Sequence, residues 1–171
     1  MTARSSSAAA SADRGRVPAS ATAPAPAAPA RPGTILQGGR AKAYRPIPEE
    51  ARRRAFEEGV AAYDRGDFFE AHELLEPAWM GTADPAERDL LQGLIKLAAG
   101  YVHGVRGNPL GIARNLTGAR ERLAGSAGSP AAAASGIDIA ALVTAIDDRL
   151  ARLARDPADA TVDPPALPRL R

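Results

Sequence analysis

From Glu49 onward the large apolar residues recur every three or four positions, the period of an amphipathic helix. Phe56, Val60 and Tyr63 predict a first helix over about 49–65. Gly66 stands where a helix end favours a left-handed residue, and Asp67 can cap a second helix over about 68–79. Asp84-Pro85 is a cap followed by proline in the first turn, opening a third helix that runs to about Arg106 through LLQGLIKLAAGYVHGV. Gly107, Asn108 and Pro109 repeat the stop, cap and start signals for a fourth helix to about Leu123. A Gly/Ser/Ala linker over 125–136 follows. A fifth helix over about 138–154 carries Ile139, Leu142, Ile146, Leu150 and Leu153 on one stripe, with Asp138 as cap and Ile137 against Leu142 as a staple. Nothing after Glu49 alternates like a half-buried strand.

A spacing of 41 residues recurs within this pattern. Gly59, Gly66-Asp67, Leu75 and Ala78 reappear as Gly100, Gly107-Asn108, Leu116 and Ala119. Two helical hairpins of similar build would produce it, and so would ordinary turn chemistry used twice. Short turns within each hairpin make the helices antiparallel neighbours. The expected fold class is therefore all-α: a single compact bundle of about five helices over 46–155.

Composition changes the picture at the two ends. Residues 1–45 are rich in Ala, Ser, Pro and Arg and nearly lack large apolar side chains, so they are expected to form a disordered basic tail. Deleting residues 1–40 is accordingly expected to cost little stability. Residues 156–171 are proline-rich and expected to be loose. The net charge of +2 hides an uneven spread. Seven basic residues against Asp13 give residues 1–45 a surplus of +6, which leaves −4 for the remainder. No basic cluster falls on a folded face, which argues against nucleic acid as a partner. The chain has no cysteine, so disulfides and thiolate metal ligands are excluded, in keeping with a reducing cytoplasm. No apolar run approaches the roughly 20 residues of a membrane span, and a cytoplasmic location is expected.

Candidate chemistry concentrates in GDFFEAHELLEPAW, residues 66–79. On a helical wheel Phe68, Ala71, Leu74, Leu75, Ala78 and Trp79 form the apolar arc. Asp67 is accounted for as a cap, while Glu70 and Glu73 fall on the solvent side. His72 and Glu76, four apart, lie between apolar positions and are expected to be substantially buried. In the third helix Gln92, Lys96 and His103 form a narrow polar stripe flanked by Gly93, Gly100 and Gly104, expected to meet His72 and Glu76 across a helix contact. Three readings follow. The groups can satisfy one another as a structural network. They can line a small polar pocket between the second and third helices, beside Trp79, Phe69 and Tyr101. Or His72, Glu76 and His103 can bind a divalent metal such as zinc or iron and support hydrolysis. No cofactor is otherwise expected, because no nucleophile elbow, phosphate loop or dinucleotide fingerprint occurs.

The strings F-x-x-G at 56–59, GDFFEAHELLEPAW at 66–79, QGLIKLAAGYVH at 92–103 and RGNPLGIARNL at 106–116 resemble a prokaryotic family, domain of unknown function 309, over roughly 52–124. The resemblance implies a compact all-helical domain and no particular activity. It implies that His72, Glu73, Glu76, Trp79, Gln92, Gly93 and His103 match the family's signature positions. Pro77 and Lys96 depart from the family pattern, the first predicting a kink or tilt near Trp79. Gly59, Ala71, Leu75 and Ala78 are also similar to a tetratricopeptide-type hairpin, which would suit a protein-interaction module. The leading expectation is a helical binding domain for a small ligand or a protein, with the metal-assisted enzyme as the alternative.

Overall fold

The computed structural model describes residues 32–37 and 39–170. In chain order these form β1 (Gly33–Gln37), β2 (Arg40–Tyr44), α1 (Glu49–Asp64), α2 (Phe68–Gly81), α3 (Pro85–Val105), α4 (Pro109–Ser126), a short α5 (Pro130–Ala134) and α6 (Ile139–Arg155). The all-α bundle is present, with one small hairpin added. The expected Gly/Ser/Ala linker contains α5, whose first turn is capped by the Ser129 hydroxyl.

The 41-residue repeat is a structural one. Gly66 and Gly107 both adopt positive φ, and each closes its helix with the same pair of bonds. Gly66 N–H donates to the Tyr63 carbonyl and Asp67 N–H to that of Ala62. Gly107 and Asn108 do the same to Gly104 and His103. Asp67 and Asn108 then cap α2 and α4 through their side chains. Inside the hairpins, Gly59 faces Leu75 and Gly100 faces Leu116, so the same glycine–leucine contact sets both helix pairs. α2 continues unbroken through Pro77, although the ring denies the Glu73 carbonyl its helical donor.

α3 is the central helix, packed against both α2 and α4. Its contact with α4 is antiparallel and glycine-lined: Gly93 meets Leu123, Gly100 meets Leu116, and Gly104 meets Ile112. Leu97, Ala98, Tyr101, Ile112, Leu116 and Leu123 are fully buried along this seam, and Leu142 and Ile146 of α6 extend the core from the α4 side.

Both chain ends depart from expectation. Residues 1–31 of the anticipated tail lie outside the described residues. Residues 33–37 and 40–44, however, pair as antiparallel strands with Gly33 opposite Tyr44 and Gln37 opposite Arg40. The pair is held by polar contacts, which apolar periodicity does not reveal. Gln37 is buried, its Nε2 donating to Asp89 Oδ1 (2.8 Å) and its Oε1 accepting from Trp79 Nε1 (3.2 Å). The Arg88 guanidinium, itself buried, donates to the carbonyls of Trp79, Thr82 and Ala43. Deleting residues 1–40 would therefore remove β1 and the buried Gln37.

The C-terminal segment is docked as well. Tyr63 and Tyr101 donate their hydroxyls to the carbonyls of Pro165 (3.0 Å) and Asp163 (3.1 Å). Buried Arg149 pairs with Asp159 and donates to the Thr161 carbonyl. Leu167 enters the core, and Ile137 bridges Arg169. The segment is held through its backbone carbonyls and the buried Leu167, so its proline content does not make it loose. Among the described residues no helix is long and apolar enough to cross a membrane.

Two predictions follow from the seams. A Cβ at Gly93 would sit 2.6 Å from Leu123 Cγ and 3.2 Å from its backbone nitrogen, whereas one at Gly100 would meet Leu116 at 3.4 Å. Gly93→Ala should cost about 1–3 kcal/mol by overpacking. Gly100→Ala should be neutral or stabilise by up to about 1 kcal/mol through helix propensity. Denaturant melts of the two variants will show the contrast. The second concerns alkaline pH. Burial raises the Tyr101 hydroxyl to about 12, from an ordinary value of 10.0, and lifts Tyr63 well above it. The unfolded chain thus loses these protons first, so the stabilisation is complete below about 10 and falls away as pH rises toward 12. Urea melts across that window should show this decline, and it should be shallower in Tyr101→Phe.

Candidate functional site

α2 carries the candidate site because its two ends are fastened. Asp67 caps the start, and Phe68 packs on Tyr63 and Tyr101 with ring centroids 5.4 and 5.5 Å apart. At the other end Trp79 bonds Gln37, and the Arg88 guanidinium lies 4.6 Å from its ring centre. Between these anchors the turn His72–Glu76 presents polar side chains on a helix that cannot easily rotate.

His72, Glu73 and Glu76 converge there. One potential ligand atom from each lies within 4.8 Å of the others. His72 Nδ1 is 3.1 Å from Glu73 Oε1. The His72 side chain retains 33% exposure and Glu73 54%, and Glu76 is half-buried. The expectation of substantial burial for His72 and Glu76 is thus corrected to a half-buried helix edge. Phe69, anticipated as one wall, is 61% exposed and shields little. Glu73 is exposed, as the wheel places it, and its carboxylate also reaches back to His72. A carboxylate on a flexible stem can cross the boundary between helix faces, and a wheel does not resolve that.

The third-helix stripe finds other neighbours. Phe68 packing on Tyr101 and Arg88 reaching Trp79 make α2 and α3 antiparallel, which sets Glu76 level with Gln92 and His72 level with Lys96. Yet Lys96 runs along Gly118 of α4, with Cδ and Nζ 3.0 and 3.1 Å from where a Cβ would be. His103 lies over Gly111, and its Nδ1 is 3.1 Å from Asn108 Nδ2. Among the described residues no hydrogen bond joins His72 or Glu76 to Gln92, Lys96 or His103. The glycines of α4 accommodate Lys96 and His103, which corrects their expected contact with α2. Gln92 Oε1 is buried without a partner. Tyr101 is fully buried in the core, and Trp79 serves the hairpin contact, so the aromatic side chains expected around one pocket are dispersed.

Sequence reading missed the two buried arginines, Arg88 and Arg149, which have the most extensive polar roles in the fold. Arginine rarely reads as core.

A part-exposed side-chain hydrogen bond contributes little net stability, about 0.5–1.5 kcal/mol at most, so His72→Ala should change stability by less than about 1 kcal/mol in denaturant melts. Gln92→Met removes a buried acceptor that has no donor. It should be neutral or stabilising by up to about 1 kcal/mol, below the 1–3 kcal/mol range of an unpaired buried group. A clear loss in both variants, non-additive in the double mutant, would instead identify a structural network.

No curated protein matches the chain. A family model does match, over residues 56–115, from Phe56 in α1 to Asn115 in α4. The stretch contains both repeat turns, the His72–Glu73–Glu76 cluster and the whole of α3. The family is described as Domain of unknown function (DUF309), and over that stretch this chain resembles it.

Proposed function

We propose that this protein is a helical binding domain whose recognition element is the outer edge of α2, where His72, Glu73 and Glu76 take a divalent cation. The observation that carries the reading is the mutual approach of three ligand atoms within 4.8 Å. One imidazole nitrogen and two carboxylate oxygens suit borderline zinc or the harder manganese. Donors from a single helical turn cap only one face of an ion, so water or a partner's groups would fill the rest. Such a site fits reversible binding or bridging to a second molecule. The polar-pocket reading is supported less, because Lys96 and His103 are engaged by α4. The metal-assisted hydrolase built on His72, Glu76 and His103 is also less favoured, since His103 stands outside the cluster.

Calorimetric titration of untagged full-length protein with zinc and with manganese tests this. Saturable one-to-one binding is expected, lost in His72→Ala and in Glu76→Gln and retained in His103→Ala. Binding that depends on His103 would return the two-histidine enzyme reading, and no saturable binding of either ion would reject the cation site.

A further inference from the structure

A groove of about 420 Å³ is bordered by α1, the end of α2 at Ala78, the start of α3 and α5. Its apolar floor includes Phe56, Leu90, Leu91 and Ala131. Its size falls in the range of small-ligand sites, which span about 300–1,000 Å³ and pair an apolar lining with a few polar groups. The charged residues at its edge are Glu49, Arg52, Arg53, Asp84 and Glu87. Their pairing is lopsided. Arg52 is spent on Glu87 and on the Ile47 carbonyl, and Arg53 is paired with Glu57 outside the groove. Glu49 and Asp84 have no ion-pair partner among the described residues. Asp84 uses one oxygen, Oδ1, to cap α3. The groove therefore offers an apolar floor beneath two carboxylates that lack a cation.

We infer that this groove binds a small apolar molecule bearing one cationic group. The hydrocarbon part would cover Phe56 and Ala131, the half-buried apolar residues of the floor, where contact with water is unfavourable, and the cation would sit at the rim beside Glu49 or Asp84. An anionic ligand of the same shape meets three carboxylates, Glu49, Asp84 and Glu87, against two arginines, of which Arg52 is held by Glu87 and the Ile47 carbonyl. The site is separate from the α2 edge: none of its lining residues belongs to the His72–Glu73–Glu76 cluster.

Three probes of equal shape separate the contributions: phenethylamine, 2-phenylethanol and phenylacetate. Titrated into ¹⁵N-labelled full-length protein, phenethylamine should shift the amides of Phe56, Ala131 and Ala134 saturably. The alcohol should bind about threefold more weakly or worse, as partly exposed ion pairs allow, and the acid more weakly still. Ala134→Trp, a substitution at an exposed lining residue, should block all three probes. Glu49→Gln combined with Asp84→Asn, which keeps a capping side chain, should make the amine and the alcohol equal. Equal binding of amine and alcohol to the unaltered protein would overturn the cation assignment. Shifts centred outside the groove, or no saturable binding by any probe, would overturn the site.

Discussion

Two helices can approach closely only where side chains leave room, and in this protein glycine leaves it. Gly59 against Leu75 and Gly100 against Leu116 set the two hairpins, and Gly93 against Leu123 completes the α3–α4 seam. At Gly59 and Gly93, where a Cβ would come within 2.6 Å of Leu75 and Leu123, overpacking strains rotamers and backbone alike, so these two contacts fix how the helices turn toward one another. Everything else about α3 follows. Its broad apolar arc faces α2 and the core, while its glycine edge meets α4. Lys96 and His103 then lie across Gly118 and Gly111, where α4 has no side chain to obstruct them.

The second organising device is the buried arginine. Arg88 and Arg149 each gather backbone carbonyls from segments without regular packing of their own: Ala43 of the hairpin for one, Asp159 and Thr161 for the other. Hydrogen bonds to a charged group are each worth about 1.5–3 kcal/mol, against a desolvation cost of several kcal/mol for the ion. The arginines therefore act as clasps that specify where the two ends of the chain lie. Tyr63 and Tyr101 reinforce the C-terminal clasp with their hydroxyls. Each clasp has one weakness, since the Nε of both arginines is buried without an acceptor.

The candidate site belongs to neither device, which is why its chemistry stays available. Its polar groups are not consumed by the seam, as Lys96 and His103 are, nor by the clasps. They occupy the turn of α2 between the Phe68 and Trp79 anchors. A rigid helix carrying an imidazole and two carboxylates holds its donors at small entropic cost.

The helices, their caps and the repeat were legible in the sequence because each rests on local chemistry. A glycine that can take positive φ, an Asp or Asn with a side-chain acceptor and an apolar residue every third or fourth position act over one or two turns. The resemblance over 56–115 was legible for the same reason: its motifs are those turns and the residues between them. Other features depended on long-range partners. β1 and β2 carry mostly exposed side chains, and the Gly-Gly at 38–39 was the one local hint of a hairpin. Their place is set by Gln37, Asp89, Trp79 and Arg88, which are distant in sequence. The docked C-terminal segment depends likewise on Tyr63, Tyr101 and Arg149. For the candidate site, the sequence singled out the turn of α2 that carries His72 and Glu76. Which residues gather there was decided by packing, because the α3–α4 glycine seam took His103 and Lys96 to the opposite neighbour and left His72 with Glu73 and Glu76.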